Sequence, residues 1–216
     1  MYVKDHMVPS PITIGPNQSV SEAIDIMSEN KLHRLPVVDE EGKLIGLVTE
    51  SLIAFNTPNN STSLSVFELN YLLNKLTIKD IMINEVVTID KEALLEEAAT
   101  ILRKNNIGCL PVVEEDGKLI GIITHNDIFS AFIELFGYNQ NATRYVINIS
   151  EDKPGILEDV ARIFKESGIS ISNLAVYRTS RGIEIVVIVH GYDNIKDTLT
   201  SAGYNVTSVI RLHEQY

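Results

Sequence analysis

The chain has 216 residues, enough for one large domain or for several small ones with separate cores. It carries 18 basic against 29 acidic residues, a formal net charge of −11, which excludes the dense cationic face that nucleic-acid binding requires. Its longest apolar runs are too short to span a bilayer, and a single cysteine excludes an internal disulfide. The opening MYVKDHMVPSP lacks the layout of a signal peptide, so a cytoplasmic protein is expected. A small anion remains an admissible ligand, because two or three local cations outweigh a distant field.

In chain order, a short extended piece, Ile12-Thr13-Ile14, leads into a helix. Ser19 and Glu22 have the spacing of a capping box. Val20, Ala23, Ile24 and Met27 recur at helical spacing. A strand, LPVV, passes through a hairpin turn at Gly42 into a second strand, LIGLVT. PNNSTS then reads as a loop, and SLSVFELNYLLNKL as a helix.

From residue 78 the pattern repeats. Shifting the chain by 75 residues aligns 3–53 with 78–128 without a gap, and 21 of 51 positions are identical. This is an internal duplication. Val87-Thr88-Ile89 is the second extended piece, and Leu95, Ala98, Ala99 and Leu102 mark the second helix. LPVV and LIGIIT flank Gly117, and a further helix follows with Ile128, Phe129, Phe132 and Phe136 on or near one face. Halves of this size are marginal alone, so the two are expected to pack together as a pseudo-twofold pair.

After a polar stretch, GYNQNAT, the pattern changes. RYVINIS reads as a strand and EDKPG as a loop. An amphipathic helix runs from Ile156 to Ser167, with Leu157, Val160, Ala161 and Phe164 in register, and Gly168 closes it. ISISNLAVY and IEIVVIVH form strands on either side of a turn at RTSRG. A short helix from Ile195 to Ser201 and a strand, YNVTSVIRL, complete a β-α-β-β-α-β order.

The duplicated β-α-β-β-α order, the LPVV strand and the Gly-h-h-Thr-x-x-Asp ending resemble a tandem pair of CBS domains, the Bateman module. The DKPGIL loop and the order around it resemble an ACT domain with a ferredoxin-like fold. Together they resemble the bacterial acetoin utilization protein AcuB family. The expected class is α+β (α/β), with CBS repeat 1 at 1–57, a linker loop and helix at 58–77, CBS repeat 2 at 78–138 and the ACT domain at 144–214. The resemblance implies a non-catalytic regulator that needs no cofactor and binds an adenine nucleotide or adenosyl compound (AMP, ATP, ADP or S-adenosylmethionine) between the repeats. It also implies a homodimer, an ACT domain that senses an amino acid, and a metabolic enzyme as regulated partner, with no nucleic acid or membrane bound. The alternative is an interaction module with a vestigial cleft that binds such an enzyme.

Site residues follow from the same resemblance. Asp127 holds the ribose, Thr124 lies at the phosphate side, and Val87, Thr88 and Pro111 wall the base; His125, by its place after the strand, either faces the cleft beside Asp127 or is simply exposed. His33 and Arg34, replaced by Gly108 and Cys109 in the second copy, reach the phosphates from the first. From the residues alone, Asp127 equally serves as N-cap of the helix beginning at Ile128, a role compatible with the first. His33 and Arg34 equally form a solvent-facing pair at a helix end. Leu52 stands where Asp127 would be and cannot accept from a ribose, so the first cleft is expected to be closed or apolar, giving one nucleotide per chain. In the ACT segment Asp152, Pro154, Gly155, Ile156 and Leu157 form a loop and helix start suited to a carboxylate. Serine-binding relatives use two asparagines where this chain has Asp152 and Ser170. Cys109 has no assigned base and is read as a small semi-buried residue, and the histidines show no metal spacing.

Overall fold

The computed structural model describes residues 1–57, 73–138, 141–151, 153–179, 182–192 and 194–212. The PNNSTS loop and most of the expected helix at 63–76 lie outside these residues. The fold is of the α+β class. It divides into two compact units, Met1–Ile128 and Phe129–Tyr216.

In the first unit a short helix, Val3–His6, precedes strand β1 (Val8–Pro9). The helix Val20–Asn30 starts at Ser19, whose Oγ accepts from the Glu22 N–H at 3.2 Å while the Glu22 carboxylate accepts from the Ser19 N–H at 2.7 Å. This reciprocal pair satisfies donors that a helix start otherwise leaves open. Val20, Ala23 and Met27 are buried as the spacing predicts, but Ile24 is exposed and Ile26 packs toward the core instead. Strands β2 (Arg34–Val38) and β3 (Leu44–Thr49) form the first hairpin, followed by the helix Glu50–Asn56.

The second repeat has the helices Ile78–Ile81 and Leu95–Asn105, then β4 (Cys109–Val113) and β5 (Leu119–Thr124), then the helix His125–Leu135. Its hairpin keeps the register of the first: Arg34 pairs with Thr49, and Cys109 with Thr124. The turns need a left-handed residue, and Gly42 and Gly117 supply it at φ 80° and 84°. The extended pieces ending at Ile14 and Ile89 each make a single parallel bridge to their own hairpin, at Val37 and Val112, and form no full strand.

The leading segment of each repeat completes the sheet of the other. Val8 pairs with Ile122 and Ile83 with Leu47, and each of these pairs is the other shifted by 75 residues. The leading helices cross over as well: Val3 N–H donates to Ala93 and Ile78 N–H to Gln18. The glycine turns meet on the pseudo-axis, where Leu44 N–H donates to Gly117 and Leu119 N–H to Gly42. Gly46 and Gly121 permit this exchange. A Cβ on Gly121 would lie 2.4 Å from Met7 Sδ and 3.2 Å from Val8 O, and one on Gly46 would lie 2.6 Å from Met82 Sδ and 3.1 Å from Ile83 O. The first repeat's core accordingly includes Ile78 and Ile81 beside Leu35, Val37 and Val48. The first repeat does not close its core without the second repeat's leading helix.

In the second unit, strands β6 (Ala142–Ile149), β7 (Ile171–Thr179), β8 (Gly182–His190) and β9 (Asn205–Leu212) form an antiparallel sheet in the order β7-β8-β6-β9. The helices Ile156–Glu166 and Lys196–Ser201 complete the ferredoxin-like order. Val160 and Phe164 are fully buried, with the Phe164 ring edge-on to Tyr145 at 5.4 Å, whereas Leu157 is exposed. Gly168, at φ 73°, ends the longer helix, and the Ile169 N–H returns to Phe164 O.

Candidate functional site

The carboxylate that distinguishes the repeats sits in the first turn of the helix His125–Leu135. Thr124, at the end of β5, donates to Asp127 Oδ2 from both its N–H and its Oγ1, each at 2.7 Å. Thr124 therefore occupies the cap position and Asp127 the third helical position, which corrects the expectation that Asp127 is itself the N-cap. The first repeat keeps half of this device. Thr49 caps the helix Glu50–Asn56 by accepting from Leu52 N–H at 3.2 Å, but Leu52 has no oxygen to return and packs toward the repeat's core. With Oδ2 committed to Thr124, Oδ1 of Asp127 makes no hydrogen bond among the described residues.

Two cavities lie between the repeats, related by the same pseudo-twofold. One, of about 500 Å³, is lined by Val8, Ser10, Pro11, Ile12, Lys31, Leu32, His33, Arg34, Pro36, Gly108, Ile122, Thr124, His125, Asn126 and Asp127. The other, of about 480 Å³, is lined by Thr49, Glu50, Ser51, Glu85, Val86, Val87, Asn106, Ile107 and Cys109 among others, and again by His33, Arg34 and Gly108. The cleft on the Leu52 side is thus open, and charged residues stand in its wall. Leu52 turns toward its own core, so losing the carboxylate does not fill the space.

Of the expected site residues, Asp127, Thr124, His125, His33 and Arg34 line one cavity. Val87 lines the other, and Thr88 and Pro111 line neither. The crossing-over of leading segments is the reason: β1 carries Ser10, Pro11 and Ile12 to the β5 end, so Ile12 and Pro36 stand where Val87 and Pro111 were expected. Lys31 is a further residue that sequence reasoning missed. It ends the helix Val20–Asn30 in a left-handed conformation, φ 54°, which places it on the cavity wall. The repeat offset contained the signal for Ile12 and Pro36, but not for which copy's segment meets which hairpin.

Charge separates the two cavities. Beyond His33 and Arg34, which border both, one carries Lys31, His125 and the Asp127 carboxylate, whereas the other carries Glu50 and Glu85. His33 is exposed, and its Nδ1 lies 2.8 Å from Glu50 Oε2. Arg34 forms no ion pair among the described residues. Its guanidinium lies against Gly108 and beside the Cys109 thiol. Burial pushes that thiol above its ordinary pKa, while Arg34, as hydrogen-bond donor and positive charge, pulls it back. Cys109 is buried and keeps its proton at neutral pH, as a small core residue does.

In the second unit Gly155 adopts φ 92° immediately before the helix Ile156–Glu166. Pro154, Leu157 and Ser170 are exposed, and Ile156 is half-buried. Asp152 lies outside the described residues, so the expected amino-acid loop is described only in part.

The profile of the CBS domain matches residues 3–55 and 78–134, just over half of the chain, and that of the ACT domain matches 145–201. An inosine-5'-monophosphate dehydrogenase of Aquifex aeolicus is 36% identical over 123 residues, which take up 56% of this chain but only 22% of the enzyme. Among solved structures, CBSX2 in complex with AMP is 30% identical with a TM-score of 0.51, covering 62% of this chain and 96% of that one. The CBS domain pair of protein MJ0100, in complex with 5'-methylthioadenosine and S-adenosyl-L-methionine, is 33% identical with a TM-score of 0.51, covering 61% and 95%. A Vibrio cholerae protein described as an acetoin utilization protein (AcuB) is 29% identical with a TM-score of 0.53, covering 62% and 92%.

Proposed function

Because this chain belongs to the CBS-domain family and carries an ACT domain behind its pair of CBS repeats, we propose that it is a non-catalytic regulator that binds one adenine nucleotide in the Asp127 cavity. The observation that carries this reading is the joining, in one cavity, of a carboxylate oxygen and an arginine that, among the described residues, have no hydrogen-bond partner and no ion pair respectively. Asp127 Oδ1 accepts from the adjacent ribose hydroxyls, each bond to the charge being worth about 1.5–3 kcal/mol. Val8, Ile12, Pro36 and Ile122 give the base an apolar bed. The phosphates face Arg34, Lys31 and His125, with Thr124 beside them. That relatives' CBS pairs are known in complex with AMP, 5'-methylthioadenosine and S-adenosyl-L-methionine supports the adenosyl class of ligand.

The ligand acts by linkage. It shifts the arrangement of the repeats only as far as its affinities for the two states differ. The ACT unit is the dimerisation element and takes an amino acid at Asp152, Pro154, Gly155, Ile156, Leu157 and Ser170. Likeness to the Vibrio cholerae protein supports an enzyme of acetoin utilization as the regulated partner.

Thermal melting of the full chain with AMP, ATP, S-adenosylmethionine and single amino acids tests both sites. A ligand at about 100 times its Kd adds about 2.7 kcal/mol, a readable rise in Tm. A rise with an adenosyl compound is the expected result. If no adenosyl compound moves the transition, the cleft is vestigial and the chain is an interaction module. If no amino acid moves it, the sensing role of the ACT unit falls.

A further inference from the structure

The second repeat's counterparts of His33 and Arg34 are Gly108 and Cys109, and the pseudo-twofold brings Arg34 onto that pair. A Cβ on Gly108 would lie 2.5 Å from Arg34 Nη1, 3.0 Å from Nη2 and 3.1 Å from Cζ. The guanidinium therefore points its Nη1–Nη2 edge at a bare stretch of backbone in the other repeat. In that pose Arg34 borders both cavities.

We propose that Gly108 is a positioning residue: its missing side chain makes the berth that holds the Arg34 guanidinium across the pseudo-axis, where it selects phosphorylated over unphosphorylated adenosyl ligands. This rests on the reading of the Asp127 cavity as a nucleotide site. Strict symmetry would set a second histidine and a second arginine against the first pair, crowding like charges at the axis. The smallest residue and a neutral thiol stand there instead. Arg34 is thus held by shape and by a weak acceptor rather than by a carboxylate, so its charge and its planar set of donors stay available for phosphate oxygens. The surrounding charges choose the side: beyond the shared His33 and Arg34, the Asp127 cavity adds Lys31 against one carboxylate, whereas the other adds Glu50 and Glu85 and, among the described residues, no further cation.

A methyl group on Gly108 meets the far end of a flexible side chain. It turns the guanidinium away at little cost to folding, so the effect falls on ligand choice. Titration calorimetry of the full chain with AMP and with adenosine reads this as a ratio of affinities. Arg34→Gln and Gly108→Ala should each lower the AMP-to-adenosine ratio about tenfold or more. The double variant should be no worse than Arg34→Gln alone. If Arg34→Gln lowers the ratio and Gly108→Ala keeps the wild-type value, the positioning role is overturned while the nucleotide reading stands. If the wild type binds neither ligand, or binds both equally, the nucleotide reading itself fails and this inference falls with it. Should Gly108→Ala melt too low to titrate, Arg34→Lys carries the test, since an ammonium has no two-nitrogen edge to set in the berth. A ratio lowered about tenfold then supports the inference, and an unchanged ratio overturns it.

Discussion

Replacing Asp127 separates its structural duty from its proposed chemical one. The carboxylate takes two donors from Thr124 on Oδ2, each at 2.7 Å, and leaves Oδ1 to the cavity. Asp127→Ala removes both duties. Losing the capping partner costs about 1 kcal/mol, on the order of 4 °C in Tm for a unit of this size. Losing the ribose acceptor costs about 1.5–3 kcal/mol of binding, roughly 10- to 150-fold in Kd. Asp127→Asn keeps an oxygen for the Thr124 donors and nearly the same shape, so its Tm should stay within about 1 °C. It removes the charge and should still weaken AMP about tenfold. Differential scanning calorimetry and titration calorimetry at 25 °C, well below the transition, report the two effects independently. If the asparagine variant binds AMP as the wild type does, or if the alanine variant loses only stability, Asp127 is a capping residue and nothing more.

Other consequences follow from the same geometry. Gly121→Ala and Gly46→Ala should each destabilise the first unit by about 1–3 kcal/mol through overpacking against Met7 and Met82; a neutral result in urea unfolding for either would contradict the exchanged leading segments. Phe164→Ala, which empties a fully buried ring site beside Tyr145, should cost about 3–5 kcal/mol in the second unit, and a change under about 1 kcal/mol would argue against that core. Cys109 titrates above its ordinary range because it is buried. Its contribution to stability is therefore full below the unfolded thiol pKa, about 8.5, and declines as pH rises through and beyond it. Cys109→Ala should flatten the stability profile above that value, and alkylation of the native thiol at neutral pH should be slow; rapid labelling of the folded chain would refute the buried assignment.

The duplication made much of the first unit legible. One offset of 75 residues fixed the second hairpin once the first was read, and the capping box at Ser19 gave a helix start that the structure keeps. Ile24 was misjudged because helical spacing leaves two neighbouring faces open, and contact with the core chose Ile26. Residues that share a cavity were harder to group. Identity between copies says that Ile12 and Val87 are equivalent, but not that Ile12 belongs beside the other copy's carboxylate. That depends on which hairpin β1 joins, a long-range pairing with no local signal beyond the glycines at 46 and 121. The open second cavity was illegible for a similar reason: Leu52 is apolar, and only its packing shows that it turns away from the space. Arg34 over Gly108 belongs to the same class, since two small residues in one copy gain meaning only when the other copy's arginine lies on them.

The central claim is that one nucleotide bridges the two repeats, its ribose on the second and its phosphate on the first. A crystal structure of the full chain with AMP tests it most directly. The account predicts density for a single AMP in the Asp127 cavity, with a ribose hydroxyl within about 3 Å of Asp127 Oδ1 and a phosphate oxygen at the same distance from the Arg34 guanidinium. AMP found in the cavity of Glu50 and Glu85, or seated with its ribose away from Asp127, would contradict it.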